Sequence, residues 1–422
     1  MVKTVCILGR QPALGLAELE SLYGGDAVSD IAPGIAGLIL DIREVDFARL
    51  GGSTRLAAVI GEVPSSSWKQ VEKALIGLAK STAFTLSTSG KFHLGLSAYG
   101  FDVSPAKINA LGLTLKKVLR ARHDGSVRLV PNTTAELSTA QVFHSHLTDE
   151  HGAELLIINC QNKTIIARTT AVQDIDGYTL RDRGRPKRDA RVGMLPPKLA
   201  QIIINLAVGE VSSWPAQLDS PAQTTRPTTR LPDYPTVVLD PFCGTGVVLQ
   251  EALLMGYSAY GTDLEPRMIA YSEANLDWLT AKYQILDTKY SLQAADATTH
   301  QWQISKFQTP NSKIVVAGET YLGRPFTERP SSAILAQTIS EVNLILKRFL
   351  QNIQPQLPQG SRLCLAVPCW FDGREQKHLP FLEHIRGMGF ERVAFQRASN
   401  EDLIYHREGQ IVGRELVTLR RT

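Results

Sequence analysis

Between Thr236 and Asp263 the chain reads TVVLDPFCGTGVVLQEALLMGYSAYGTD, and few architectures accommodate that string. The apolar run Thr236 to Leu239 has the character of a buried strand and ends on Asp240. A tight loop with Gly244 and Gly246 follows, then a helix expected over Val247 to Met255, then a second strand closing on Asp263. This is a βαβ unit, and it commits the chain around it to a parallel sheet with helices on its faces. In such a unit the glycines let a ligand approach the backbone at the helix N-terminus. A dinucleotide fingerprint places a third glycine three residues after the second, and Leu249 holds that position instead. The loop is therefore a poor seat for a pyrophosphate. Asp240 suits a ligand that brings an ammonium group to the loop, and Asp263 stands where an acid binds ribose hydroxyls.

The rest of the chain sets limits. At 422 residues it exceeds one ordinary domain, so two or three are expected. No apolar run approaches the roughly 20 residues that span a bilayer. The N-terminal MVKTVCILGRQP lacks the apolar core and cleavage site of a signal peptide and reads as an opening strand. Five cysteines with no CxxC pair argue against a disulfide framework or a zinc site, so a cytoplasmic location is expected. The net charge is only +4, and what matters is its distribution: RDRGRPKRDAR, Arg181 to Arg191, packs six basic and two acidic residues together. Such a run can neutralise several phosphates of a nucleic acid, although most charge runs are solvated faces.

Residues 1–88 read as a small α/β unit. Strands are expected at Val2 to Leu8, Gly37 to Ile42 and Ala57 to Gly61, and helices at Pro12 to Leu22 and Trp68 to Leu78, an order that suits a ferredoxin-like sandwich. Residues 89–175 form a second α/β segment. It has strands at Phe92 to Ser97 and Val127 to Val130, and a helix at Pro105 to Arg122 whose basic face includes Lys116 and Lys117. A further helix is expected over Thr133 to Leu147, followed by a hairpin of Glu154 to Asn159 and Lys163 to Thr169. Residues 176–422 alternate strands and helices as a doubly wound sheet does. Pro196 and Pro197 mark a helix start, residues 211–235 hold five prolines and read as a flexible insertion, and DLIYHREGQIVGRELVTLRR reads as a closing antiparallel hairpin.

The DPFCGTG string with its downstream GTD strongly resembles S-adenosylmethionine-dependent methyltransferases, most of all those that methylate exocyclic amino groups of nucleic acids. The resemblance implies a Rossmann-like class I methyltransferase domain with S-adenosylmethionine as cofactor. It implies cofactor contacts at Asp240, Phe242, Gly244, Thr245 and Gly246, at Asp263 and Leu264 by the ribose, and at Asp296 and Ala297 by the adenine. Asn275 falls in an EANL-type helix with a structural role, and Gly193 to Leu199 match a helix start that covers the cofactor. No metal is implied, because methyl transfer from a sulfonium is a direct displacement governed by positioning and electrostatics.

Amino-group methyltransferases usually carry an Asp/Asn/Ser-Pro-Pro-aromatic motif after the fourth strand, where a polar side chain and a proline carbonyl accept hydrogen bonds from the target amine. Here the fourth strand, expected at Lys313 to Ala317, is followed by GETYLGRPF. Glu319 stands for the acid and Tyr321 for the aromatic, and there is no Pro-Pro. The resemblance thus implies Glu319 as amine acceptor, Tyr321 stacked on an extruded base, and Arg324 on a phosphate. A cysteine attacking a cytosine carbon is the alternative. Pro368-Cys369 supplies a thiol, but after a later strand, Ser361 to Val367, and Cys243 lies in the cofactor loop.

The element order of the second segment, with LVPNTTAELSTAQVFHSHL, looks like a THUMP domain, an RNA-binding module of tRNA-modifying enzymes. The whole order resembles the tRNA guanine-N2 methyltransferases acting on guanosine-10. The resemblance implies tRNA as substrate, held by Arg181, Arg183, Arg185, Lys187 and Arg188 and by Lys116 and Lys117, and some relatives need a small zinc-binding activator subunit. Two other classes stay open: a non-catalytic RNA-binding protein that keeps the cofactor pocket, and a DNA amino-methyltransferase.

Overall fold

The computed structural model describes residues 1–81, 90–122, 125–189, 194–210, 235–285, 289–304, 312–326, 328–372 and 375–422. The proline-rich stretch up to residue 234, Arg191, Gly193 and the expected boundary at 88/89 lie outside the described residues. The chain forms two compact units. Met1–Pro12, Asp26–Phe47 and Ser53–Ile175 make the first; Ala13–Gly25, Ala48–Gly52 and Asp176–Thr422 make the second.

The first unit is built on β1 (Thr4–Leu8), β2 (Val28–Ala32), β3 (Ile35–Leu38), β4 (Ser53–Val63), β5 (Lys91–Tyr99), β6 (Ser126–Leu129), β7 (Gly152–Cys160) and β8 (Lys163–Val172). These strands form one sheet in the order β2-β3-β1-β4-β8-β7-β5-β6. The two N-terminal segments are therefore continuous, since β4 of the first pairs antiparallel with β8 of the second. Of the helices α1 (Pro12–Tyr23), α2 (Trp68–Lys80), α3 (Pro105–Arg120) and α4 (Thr139–His144), α2 and α3 set apolar stripes, including Val71, Leu75, Ile108 and Leu115, against Phe92 and Leu155. Two expectations change here. The strand expected to reach Ile42 ends at Leu38, and Asp41 instead caps a short turn by accepting the Arg43 amide, with Glu44 returning to the Asp41 amide. The helix expected from Thr133 begins only at Thr139. Before it, Asn132 donates to the Leu96 and Thr134 carbonyls and the Ser97 hydroxyl accepts from Leu137 N–H, so side chains take the backbone partners that a helix needs.

The second unit holds β9 (Thr236–Asp240), β10 (Ser258–Asp263), β11 (Tyr290–Ala294), β12 (Lys313–Glu319), β13 (Arg362–Asp372), β14 (Glu375–Lys377), β15 (Phe390–Arg392), β16 (Ile404–Tyr405) and β17 (Val412–Arg421). The main order is β11-β10-β9-β12-β13-β17-β15, with β14 on β13 and β16 on β17. Pairings from β11 through β13 are parallel, and β17 runs antiparallel between β13 and β15. This is the expected Rossmann-like doubly wound sheet with its C-terminal antiparallel hairpin. Helices α5 (Ile175–Arg183), α6 (Pro197–Val208), α7 (Val247–Leu254), α8 (Pro266–Tyr283) and α9 (Ser332–Ile353) complete it. Strand order reverses between β9 and β12, and in open α/β sheets the carboxyl ends at such a point form the ligand crevice. Strand β13 runs past its expected end, so Pro368 and Cys369 lie within it, opposite Arg414 and Gly413.

Helix α1 is buried on nearly every face, from Leu14 to Leu22, and packs in this second unit. Both oxygens of Glu18 accept backbone amides, from Gly51 at 2.9 Å and Gly52 at 2.8 Å, and one also accepts Asn205 Nδ2 at 2.7 Å. Asn205 Oδ1 accepts Arg49 Nε and Nη2 at 2.9 and 2.8 Å, and Arg49 Nη2 also donates to Tyr257 Oη at 2.7 Å. Burial pushes the Glu18 carboxyl up to about 7, against the pull of these donors. No helix among the described residues is long and apolar enough to cross a membrane.

Candidate functional site

Strand β9 delivers Asp240 to the crevice 2% exposed, and its Oδ1 accepts the Phe242 amide at 3.1 Å. The loop then turns through Gly244 and Gly246, whose φ angles of +52° and +81° fall where side chains are strained. A Cβ on Gly246 would stand 2.9 Å from Ser272 Oγ, which itself donates to the Gly244 carbonyl at 2.8 Å. From the end of β10, Asp263 accepts Gly244 N–H on one oxygen and Glu265 N–H on the other, each at 2.9 Å. Leu249, in the slot of the absent third glycine, is fully buried. The close helix–strand approach that this glycine normally permits is supplied from the strand: a Cβ on Gly261 would lie 2.4 Å from Leu249 Cδ1.

Strand β12 closes the other side. A Cβ on Gly318 would meet Asp240 Oδ1 at 2.4 Å, so the bare backbone of β12 lies against that carboxylate. The next residue, Glu319, ends the strand instead of opening the loop, and its Oε1 accepts Arg414 Nε from β17. Burial raises the Asp240 carboxyl well above the ordinary carboxylate range, and the charges of Asp263 and Glu319 push the same way. Burial also raises Asp263 and Glu319, the latter against the opposing charge of Arg414. Three carboxylates at the ends of β9, β10 and β12 thus share one electrostatic field, and a cationic ligand would relieve their repulsion.

The other expected contacts are uneven. Phe242 turns its ring into the core, edge-on to Phe349 at 5.1 Å, so it offers the loop its backbone. Leu264 is 67% exposed beyond β10. Asp296 Oδ1 accepts Thr298 N–H at 2.8 Å and its hydroxyl at 2.7 Å, and Ala297 is buried in the core cluster behind them. Tyr321 is 45% exposed, and Thr320 N–H is held by the Ala366 carbonyl at 3.0 Å. Arg324 donates to Thr338 Oγ1 at 3.3 Å and lies over the Phe326 ring. Cys369, inside β13, is raised to about 12 by burial, and burial also lifts Cys243 well above the ordinary thiol value, so neither is an activated nucleophile.

The basic run divides. Arg183, Lys187 and Arg188 are exposed, as is Lys117 on α3, while Lys116 is half-buried. Arg181 and Arg185, expected on phosphate, are 6% and 4% exposed. Arg181 Nε pairs with Glu251 at 2.8 Å, and although burial opposes its charge, Glu251 outweighs burial and raises its pKa. Arg185 Nη1 donates to Thr245 Oγ1 at 3.1 Å, and burial lowers its pKa. These two point inward, to Glu251 of α7 and to Thr245 of the glycine loop, while the exposed members of the run face solvent. Asn275, fully buried, fastens it there: its side chain accepts Lys187 N–H at 2.8 Å and donates to the Lys187 and Thr245 carbonyls at 2.9 Å. The structural role expected for Asn275 is visible in these bonds. Sequence reading missed Arg414 and Gly318 altogether; Arg414 comes from β17, two strands from β12 across β13.

No family model matches the chain. Curated relatives do. The tRNA (guanine(10)-N2)-dimethyltransferase of Methanothermobacter thermautotrophicus is 29% identical over 136 residues, 32% of this chain and 34% of the relative. The protein of the same name from Pyrococcus abyssi is 30% identical over 208 residues, 48% of this chain and 47% of the relative. Among solved structures, TrmN from Thermus thermophilus aligns over 100% of both chains at 15% identity with a TM-score of 0.48. The chain matches between a third and a half of the length of these curated relatives, and over that part it is a sequence relative of the tRNA (guanine(10)-N2)-dimethyltransferases.

Proposed function

We propose that the chain is an S-adenosylmethionine-dependent RNA methyltransferase acting on the exocyclic 2-amino group of a guanine in tRNA, with guanosine-10 as the position. The observation that carries this reading is the meeting of Asp240, Asp263 and Glu319 under a glycine loop at the strand-order reversal. That donor set fits the cofactor: carboxylates for its ammonium group and ribose hydroxyls, no third glycine for a pyrophosphate, and bare backbone at Gly318 beside Asp240. The sequence kinship with enzymes of that name supports the substrate. S-adenosylmethionine, when bound, supplies an electrophilic methyl group. Asp240 holds the ammonium and Asp263, oriented by its two backbone amides, holds the ribose. Glu319 accepts the target amine's N–H and takes its proton on the carboxylate, while Tyr321 stacks on the extruded base. Arg183, Lys187 and Arg188 meet tRNA phosphates from this unit, and Lys117 does so from the THUMP-like segment.

A second reading, a cofactor-binding RNA-binding protein without catalysis, is favoured by one observation: Glu319 already gives an oxygen to Arg414 and no Pro-Pro follows it. Transfer of labelled methyl to unmodified tRNA, with the nucleoside identified by mass and Glu319→Gln alongside, separates the two. N2-methylated guanosine from the parent and about a hundredfold less from the variant supports the first reading. Cofactor binding with no transfer supports the second. Transfer seen only with a small zinc-binding subunit present adds that partner to the reading.

A further inference from the structure

Arg414 and Glu319 meet through one atom of each, Nε and Oε1. That leaves both Nη nitrogens of the guanidinium and the second carboxylate oxygen. None of the three has a partner among the described residues, and none is sealed from solvent: the two side chains keep 10% and 13% of their surface. Pro368 on β13 and Tyr405 on β16 stand directly opposite Arg414, and residues opposite one another share a face of the sheet. The guanidinium therefore rises between a proline and a half-buried phenol ring. Asp240, at the end of β9, adds a second acid to the same field. A phosphate does not suit this seat, because two carboxylates repel it. A neutral, flat group with a donor beside an acceptor does.

The usual motif of amino-group methyltransferases offers the amine two acceptors, a polar side chain and a proline carbonyl. Here the single acceptor, Glu319, has a donor beside it, and that changes which edge of a base fits. With a hydrogen of guanine N2 given to Glu319, the guanidinium alongside needs a bare acceptor next to the amine. Of the two flanking ring nitrogens, N1 carries a hydrogen and repels a second donor, whereas N3 has a free lone pair. We propose that Arg414 is a specificity residue that reads the base, donating from Nη to guanine N3 while Glu319 accepts from the 2-amino group. This rests on the reading of the crevice as a guanine-amine methyltransferase site. Arg414 then orients the purine by its N2–N3 edge, and it occupies a ring lone pair that competes with the amine for the methyl group.

The test is single-turnover methyl transfer by the full chain to two tRNA transcripts, one with guanosine and one with 3-deazaguanosine at the target position, in the parent, Arg414→Met and Arg414→Lys. The analogue keeps N1–H, O6 and the amine and replaces only N3 by a C–H. The parent is expected to be about 10- to 100-fold slower on it, the worth of one hydrogen bond from a charged donor. Arg414→Met is slower on guanosine, and its rates on the two transcripts agree within about threefold, since the donor that senses N3 is gone. Arg414→Lys, which keeps the charge without the planar fork, shows a smaller ratio than the parent, and it carries the test if Arg414→Met does not melt cooperatively. A parent that treats the two transcripts alike overturns the proposal, and so does a ratio that both variants retain; Arg414 then acts only through the charge of Glu319. A parent that binds S-adenosylhomocysteine but methylates neither transcript overturns the catalytic reading itself.

Discussion

Asp240 carries a cost in the free protein, because it is buried beside two further acids that raise it above the ordinary carboxylate range. Such a group holds its proton to higher pH, and a cationic ligand must displace that proton to bind. Affinity for S-adenosylhomocysteine should therefore rise with pH, at values above the ordinary carboxylate range, with proton release on binding. Calorimetry in buffers of different ionisation heat measures both, and a flat profile with no proton release would count against the acidic cluster as the ligand's partner. Arg414 is the other residue of consequence. Replacing it with Met leaves Glu319 buried without its cation, so Glu319 becomes protonated and cannot accept the amine's proton. Methyl transfer should fall about a hundredfold while S-adenosylhomocysteine affinity changes little, and Arg414→Lys should recover part of the loss. Rates and titrations on the same preparations check this. The acids and glycines of the loop were legible in the sequence because their chemistry is local. Arg414 was not: it stands 95 residues from Glu319, and alternation along β17 turns Arg414 to one face and Glu415 to the other without saying which face meets the site.

The loop between β9 and α7 works as an element because two glycines adopt positive φ and one of them lies against Ser272. Gly246→Ala combines left-handed strain with that contact. It should lower stability by about 1–2 kcal/mol and weaken S-adenosylhomocysteine binding, measured by denaturant melts and titration, whereas an unchanged melt would mean that the loop adapts freely. Elements with strong period and a clean start, such as α2 at Trp68–Lys80, expected over Trp68 to Leu78, were read closely from sequence. Those that side chains interrupt were not. Asn132 and Ser97 divert the backbone before α4, and Pro368, which ordinarily ends a strand, is carried through β13 in register with Arg414.

At the scale of the molecule, the βαβ unit was enough to read the doubly wound sheet, because parallel strands need helical crossovers. The division into units was not readable, since α1 and residues 48–52 pack with the C-terminal part through Glu18, Arg49 and Asn205. A reading of contiguous segments has no signal for such a return. A fragment of residues 176–422 should therefore fail to melt cooperatively, since it leaves Asn205 without its partners. In the full chain, Asn205→Leu should cost about 3–5 kcal/mol by denaturant unfolding, because it strands a buried carboxylate and a buried guanidinium. Glu18 adds a pH dependence. Its folded pKa of about 7 exceeds the ordinary value of 4.5, so its stabilising effect is full below about 4.5 and is lost as pH rises through about 7. Glu18→Gln should flatten that part of the stability profile. The central claim, that the crevice methylates a guanine amine in tRNA, is tested most directly with two transcripts, one normal and one carrying inosine at position 10. Inosine lacks only the 2-amino group, so the account predicts transfer to the normal transcript and none to the other. Equal transfer to both, or to neither with the cofactor bound, would contradict it.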